Sequence, residues 1–375
     1  MKKEILKVFF KPLTIANRMI KKDENLIFFY SNLGFRDNVK AFYDYLIRKK
    51  YNEKYKIVVS INDVEKFVER APENVIFVGN KQGISYFMKA KYAFYCFGKY
   101  PIKPAKSQIV VNLWHGTPLK KIGNLEKGLE KKDYNFFTYV VASSPLYQPI
   151  MAKIFGCKEE QVIITGNPRN DELFQEDNAN DNPFWEKGEK VILWLPTYRE
   201  YKEDFIVSLL NRENLEPLNK KLKTAHCKLI IKLHPLQDVS IISEAYSNID
   251  FLVQTNLDVE GVSVYTLLKD ADALITDYSS VYFDYMMLNR PIAFTVEDIE
   301  EYRKERGFVF DNPFVYMPGK KLSSYEDLEQ FITNVAQKKD IYAAQRQQVN
   351  RIMNSFSDGN SCRRLEERVF GGHEK

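Results

Sequence analysis

The feature that most constrains this chain is an alternation of short, unbroken apolar runs with stretches of helical period, interrupted once. Runs at 26–30, 55–60, 75–78, 92–95, 109–113, 139–141 and 162–164 are too short for helices and show no apolar–polar alternation. That is the signature of strands buried on both faces of a parallel sheet. Between the first two runs, Val39, Phe42, Tyr43 and Leu46 recur on one helical face. The segment 174–188 is then rich in Asn, Asp, Glu and Pro without a period, as interdomain connections are. A second series follows at 191–195, 229–233, 251–253, 273–276 and 291–294, and 325–370 reads as helical, with Leu328, Phe331, Ile332 and Val335 on one face. Two consecutive βαβ series predict an α/β fold of two Rossmann-like domains, 23–173 and 189–340, facing each other across a cleft, with a helical tail at 341–375. Ligands of such sheets sit beyond the carboxyl ends of the strands, so chemistry is sought there.

Charge narrows the partners. The net charge of the 375 residues is +5, yet residues 1–22 alone hold seven Lys and Arg against Glu4. The remainder is close to neutral, which argues against the broad basic face of a nucleic-acid-binding protein. In the same segment Ile5, Leu6, Phe9, Phe10, Leu13, Met19 and Ile20 recur at roughly helical spacing between lysines, with Pro12 limiting the regularity. A segment of this kind lies on an anionic membrane surface, or packs as an amphipathic helix on its own protein. The first reading puts residues 1–22 at the cytoplasmic face of a membrane as a peripheral anchor. No apolar run approaches the ~20 residues of a membrane-spanning helix, and Lys7 and Lys11 break the pattern of a secretory signal. The four cysteines form no CxxC pair, which argues against a disulfide framework and a cysteine zinc site and fits a reducing compartment. The composition also allows a homo-oligomer.

Short polar segments stand where strands end. At 112–123 the run Asn-Leu-Trp-His-Gly-Thr-Pro-Leu-Lys-Lys-Ile-Gly presents His115 followed by Gly116 and Thr117. An imidazole titrates near neutrality and serves as a general base, and a following glycine removes bulk that would obstruct a substrate hydroxyl. A histidine buried beside Trp114 for packing is the plainer alternative; the strand-end Gly-Thr-Pro context favours the base. Pro196-Thr-Tyr-Arg199 follows the first strand of the second series, and Arg199 offers planar bidentate donors to phosphate. Lys232-Leu-His-Pro235 places His234 at another strand end, where it can donate to phosphate or to a leaving group. Thr276-Asp277-Tyr278-Ser279-Ser280 joins an apolar strand to a helix, with Ser279 or Ser280 as the expected N-cap and the free backbone N–H groups as an anion site. Asp277 can orient His234 or a backbone amide, or accept from donor hydroxyls. Arg169, within Thr165-Gly-Asn-Pro-Arg-Asn-Asp171, and Arg306, within Arg306-Gly-Phe308, read as supporting residues or as solvated turns. The sequence holds no GxGxxG, P-loop or strand-end DxD pair, and it calls for neither a metal nor a cofactor.

Taken in order, the segments at 114–123, 165–171, 196–199, 232–235, 276–280 and 306–308, with Pro318-Gly319, resemble the CDP-glycerol glycerophosphotransferases, which build wall teichoic acids and related capsular polymers of bacteria. The resemblance is strong from about 112 to 319 and weaker from 26 to 100. It implies a GT-B-like fold, a CDP-glycerol donor on the C-terminal domain and a lipid-linked acceptor carried on undecaprenyl diphosphate. It implies that His115 and His234 are essential. The reaction expected is attack of an acceptor hydroxyl on the glycerol-bearing phosphorus, with loss of CMP. His115 would be the base, and Arg199, His234, Thr276, Asp277, Ser279 and Ser280 would hold the donor. Relatives using CDP-ribitol share these motifs, a nucleotide-sugar transferase shares the fold, and a non-catalytic binding scaffold is the rival from another class.

Overall fold

Each apolar run of the first series forms a strand: β1 (Asp23–Tyr30), β2 (Lys56–Ser60), β3 (Val75–Val78), β4 (Ala90–Tyr95), β5 (Ile109–Asn112), β6 (Tyr139–Ala142) and β7 (Val162–Ile164). The structure, a computed structural model, describes residues 2–175, 182–186, 188–197, 205–233 and 245–371. Among these, the seven strands make one sheet in the order β3-β2-β1-β4-β5-β6-β7, and every pairing is parallel. The apolar runs end up between layers of helix. Phe29 and Phe94 are fully buried and stack at 5.2 Å, and Phe42 and Leu46 of helix Asp37–Arg48 cover them.

The second series gives β8 (Lys190–Trp194), a two-stranded antiparallel ribbon of β9 (Phe205–Val207) and β10 (Leu210–Asn211), then β11 (Cys227–Lys232), β12 (Ile249–Leu252), β13 (Ala273–Thr276), β14 (Ile292–Thr295) and β15 (Lys320–Leu322). Its parallel sheet runs β12-β11-β8-β13-β14-β15. Trp194, Leu229, Ile231 and Ile275 are fully buried and pack with Leu328 and Ile332 of helix Tyr325–Ala336.

Both sheets therefore wind outward in two directions from a first strand, the 3-2-1-4-5-6 order of a dinucleotide-type fold. In the first the winding reverses between β1 and β4, in the second between β8 and β13. Loops leaving those strand ends border the crevice where such sheets bind ligands.

The chain divides into two compact units: 1–117 with 122–171 and 355–375, and 118–121 with 172–354. The stretch 341–375, read from sequence as one tail, is thus shared. Helix Ala343–Met353 belongs to the second unit and helix Ser361–Phe370 to the first. The reason is local. Cys362, Leu365 and Val369 join the first core, and the Asp171 carboxylate accepts from the Ser361 and Cys362 backbone N–H groups at 2.7 and 2.8 Å, capping that helix.

The first helix, Lys2–Met19, runs through Pro12 without a break, so the proline limits its regularity less than the sequence suggests. Its last turns are fastened to the first unit. Asn17 is fully buried and donates to the Lys103 carbonyl at 3.0 Å and to Gln108 Oε1 at 2.9 Å. Lys22 Nζ donates to the Asn17 carbonyl and side chain and to the Met88 carbonyl. Ile15 and Met19 remain 62% and 83% exposed. No helix among the described residues is long and apolar enough to cross a membrane.

Candidate active site

His115 stands just beyond the carboxyl end of β5. The residue is half-buried; its ring stacks on Phe97, centroid to centroid 5.3 Å, and meets Trp114 at 3.9 Å, tilted by 33°. The backbone around it is unusual. Trp114 has φ 53°, a left-handed conformation that non-glycine residues rarely adopt, and Gly116 has φ 123°. Gly116 is thus required by the turn itself. Thr117 is buried, and its hydroxyl donates to Ser143 Oγ at 3.0 Å, joining the ends of β5 and β6.

Side chains from distant segments hold this loop. Asn112 Oδ1 accepts from the Trp114 N–H at 3.0 Å. Asn38 Nδ2 donates to the Leu113 and Trp114 carbonyls at 3.1 and 2.9 Å. The Cys96 thiol donates to the Trp114 carbonyl. Burial, then the negative charge of Asp37, pushes that thiol well above its ordinary value, so it stays protonated and keeps its donor. Arg169 Nη1 donates to Asp37 Oδ2 at 2.7 Å and to the His115 carbonyl at 3.0 Å. The sequence reading had Arg169 as a supporting residue, and this is what it supports. Asp37, Asn38 and Cys96 were not singled out at all. They leave β1 and β4, the strands flanking the reversal of the first sheet, far in sequence from the loop they hold.

In the second unit the loops after β8 and β13, which flank the other reversal, are tied by Asp277. Fully buried, it accepts from the Thr197 N–H at 2.9 Å and the Thr197 hydroxyl at 2.6 Å, and from the Ser279 N–H at 3.1 Å. Thr276 Oγ1 donates to the Leu195 carbonyl at 2.8 Å. Asp277 accordingly orients backbone amides, one of the roles the sequence left open.

Ser280 is the N-cap residue of helix Val281–Tyr285, in helical conformation and without a side-chain cap hydrogen bond of its own. Ser279 Oγ accepts from the Val281 N–H at 3.5 Å. The helix has five residues, too few for a strong dipole, and the Ser279 N–H is already taken by Asp277. Ser279 and Ser280 themselves are half-buried.

Arg306 is exposed at the C-terminal end of helix Ile299–Glu305. The residues after it pair with 118–121: Gly307 accepts from the Lys121 N–H at 3.1 Å, and Val309 donates to the Leu119 carbonyl at 2.8 Å. The chain leaving the His115 loop is thus an integral part of the second unit. His234 and Arg199 lie outside the described residues. Among the described residues no cluster of three or more His, Cys, Asp or Glu is arranged to hold a metal ion.

Two parallel α/β units with polar loops gathered at the points of sheet reversal define a GT-B-like fold. A solved structure of the wall teichoic acid polymerase TagF shares that fold with a TM-score of 0.77 at 22% identity, covering 98% of this chain and 92% of its own. Residues 13–371 match the family described as CDP-Glycerol:Poly(glycerophosphate) glycerophosphotransferase, and the chain belongs to that family. It is a transferase of teichoic acid biosynthesis type, a glycerophosphotransferase. It is 31% identical to the teichoic acid glycerol-phosphate primase of Bacillus subtilis over 68% of this chain and 66% of that protein. It is 28% identical to the teichoic acid glycerol-phosphate transferase of Staphylococcus aureus over 93% of each. It is 29% identical to the teichoic acid poly(ribitol-phosphate) polymerase of Bacillus spizizenii over 80% of this chain, which spans half of that protein.

Proposed function

We propose that this chain transfers glycerol phosphate from CDP-glycerol to a hydroxyl of a teichoic acid or capsule acceptor carried on undecaprenyl diphosphate, releasing CMP. The acceptor O–H gives its proton to the His115 imidazole as its oxygen attacks the glycerol-bearing phosphorus. The bond from that phosphorus to the bridging oxygen breaks, and the electron pair leaves with CMP, so a phosphodiester replaces a diphosphate. A positioned base of this kind contributes ~10²–10⁴-fold. Ser279 and Ser280 donate to the donor phosphates, and Asp277 and Thr276 keep that turn in place. Arg199 and His234 neutralise charge on the departing CMP, and Arg306 adds a cation. Most of the rate comes from positioning and charge stabilisation.

The observation that carries this reading is a strand-end imidazole on a clamped, strained loop in a chain of this family. CDP-ribitol is the second reading, favoured by the ribitol-phosphate polymerase among the relatives. A nucleotide-sugar donor is a third that the GT-B-like fold alone admits. Purified protein offered CDP-glycerol, CDP-ribitol and UDP-sugars in parallel, with released nucleotide and product masses measured, separates them. CMP release with a mass gain of one glycerol phosphate is expected; UDP release would overturn the assignment. The basic helix Lys2–Met19 holds the enzyme peripherally on an anionic membrane surface, where its lipid-linked acceptor resides.

A further inference from the structure

A second residue near the His115 loop has a left-handed backbone: Asp37, φ 61°, at the start of helix Asp37–Arg48. Such conformations persist where surrounding contacts over-determine them, and they cluster at functional sites. The contacts around Asp37 and Trp114 form one connected set. Asp37 Oδ1 accepts from the Asn38 N–H at 2.7 Å, and Asp37 Oδ2 accepts from Arg169 Nη1 at 2.7 Å. That same Nη1 donates to the His115 carbonyl at 3.0 Å. Asn38, fully buried, accepts from the Arg169 N–H at 3.0 Å through Oδ1 and donates through Nδ2 to the carbonyls of Leu113 and Trp114. Its amide can point only one way, because both ends are engaged with partners of opposite kind. Three consecutive carbonyls, at 113, 114 and 115, are thereby held by two side chains from outside the loop.

We infer that Asn38 and the Asp37–Arg169 pair are positioning residues for transfer, setting the direction in which the His115 ring is presented beyond β5. The inference rests on the reading of His115 as the base and adds residues that act through it. The 38 position is selective. Aspartate has nearly the same shape but carries acceptors on both ends, which would face the Leu113 and Trp114 carbonyls. At 169, lysine keeps the charge opposite Asp37 but lacks the planar guanidinium.

The test uses the full chain with CDP-glycerol and the acceptor, comparing Asn38→Asp and Arg169→Lys with the unaltered enzyme. Each is expected to lower kcat by about 10²-fold while the KM for CDP-glycerol stays within about twofold, since misplacement near 1 Å costs that much in rate. In a His115→Ala background, adding Asn38→Asp is expected to lower the residual turnover by less than about twofold, because its effect runs through the absent imidazole. Where that background has no measurable turnover, the acid limb of kcat/KM serves instead. It moves when the imidazole is placed differently and stays put when merely less enzyme is folded. Retained kcat in both variants, or the same loss with and without His115, overturns the inference. If His115→Ala abolishes transfer while Asn38→Asp and Arg169→Lys remain active, the base reading stands and the positioning role falls. If His115→Ala turns over normally, the base reading fails and takes this inference with it. If Asn38→Asp does not fold, Arg169→Lys carries the comparison.

Discussion

Asp277 holds Thr197 by two hydrogen bonds, one from its backbone N–H at 2.9 Å and one from its hydroxyl at 2.6 Å. One buried carboxylate thus fixes the loop after β8 to the loop after β13 at the reversal of the second sheet. It also holds the Ser279 N–H. A strand-end aspartate beside serines invites a role in binding, but both of its oxygens are committed within the protein.

Asp277→Ala is therefore expected to act first on stability. Removing a fully buried acceptor leaves donors at Thr197 and Ser279 unsatisfied, worth about 1–3 kcal/mol each at most. The unfolding midpoint is expected to fall, and affinity for CDP-glycerol with it, because the turn bearing Ser279 and Ser280 loses its anchor. Denaturant unfolding and donor-binding calorimetry on one preparation decide this. Unchanged stability with lost binding would instead make the carboxylate a direct ligand.

Asp171 caps helix Ser361–Phe370 with both oxygens. Asp171→Ala is expected to cost about 1–2 kcal/mol, the range of a lost N-cap at a helix start. Asp171→Asn should cost less, since one amide oxygen still accepts. Because that helix supplies Cys362, Leu365 and Val369 to the first core, the loss should appear as destabilisation of the whole first unit rather than fraying of its end. Hydrogen exchange across 23–171 distinguishes the two, and protection lost only at 361–370 would contradict this.

Burial lowers the Lys22 amine to about 8, while its partners are carbonyl and amide oxygens without charge. The sign follows. In the window between about 8 and the ordinary lysine value the folded chain has released this proton and the unfolded chain still holds it, so stability rises with pH there. Below about 8 both states are protonated, and the penalty of burying the charge is constant. The stability difference between the unaltered chain and Lys22→Met is expected to move in favour of the unaltered chain from pH 8 to 10, by up to about 1.4 kcal/mol per pH unit. Parallel curves over that range would exclude the effect. The comparison is needed because Lys321 is also lowered to about 8 by burial and contributes to both proteins.

Replacing Lys2, Lys3, Lys7 and Lys11 with glutamate is expected to abolish flotation with anionic vesicles while leaving neutral vesicles, solubility and donor binding unaffected. Each basic residue near an anionic surface is worth about 1 kcal/mol. Asn17 and Lys22, which fasten the helix to the protein, are untouched by this design. Equal flotation of both proteins would remove the anchoring role.

The sequence alone determined most of the strands, though not β9, β10 or β15. Most apolar runs coincide with strands to within two residues, as at 75–78 and 162–164, because burial on both faces of a parallel sheet writes itself locally as a run of Val, Ile, Leu, Phe and Tyr. The strand-end motifs, and with them the family, were legible for the same reason: each is a short contiguous string. What holds those motifs was not legible. Asn38, Cys96 and Arg169 meet the His115 loop across intervals of about 20 to 80 residues, and Asp171 finds its helix 190 residues later. A hydrogen bond between distant residues leaves no periodicity in either segment. Which polar side chain becomes a clamp was decided only when the sheets set their strand order and brought those loops together.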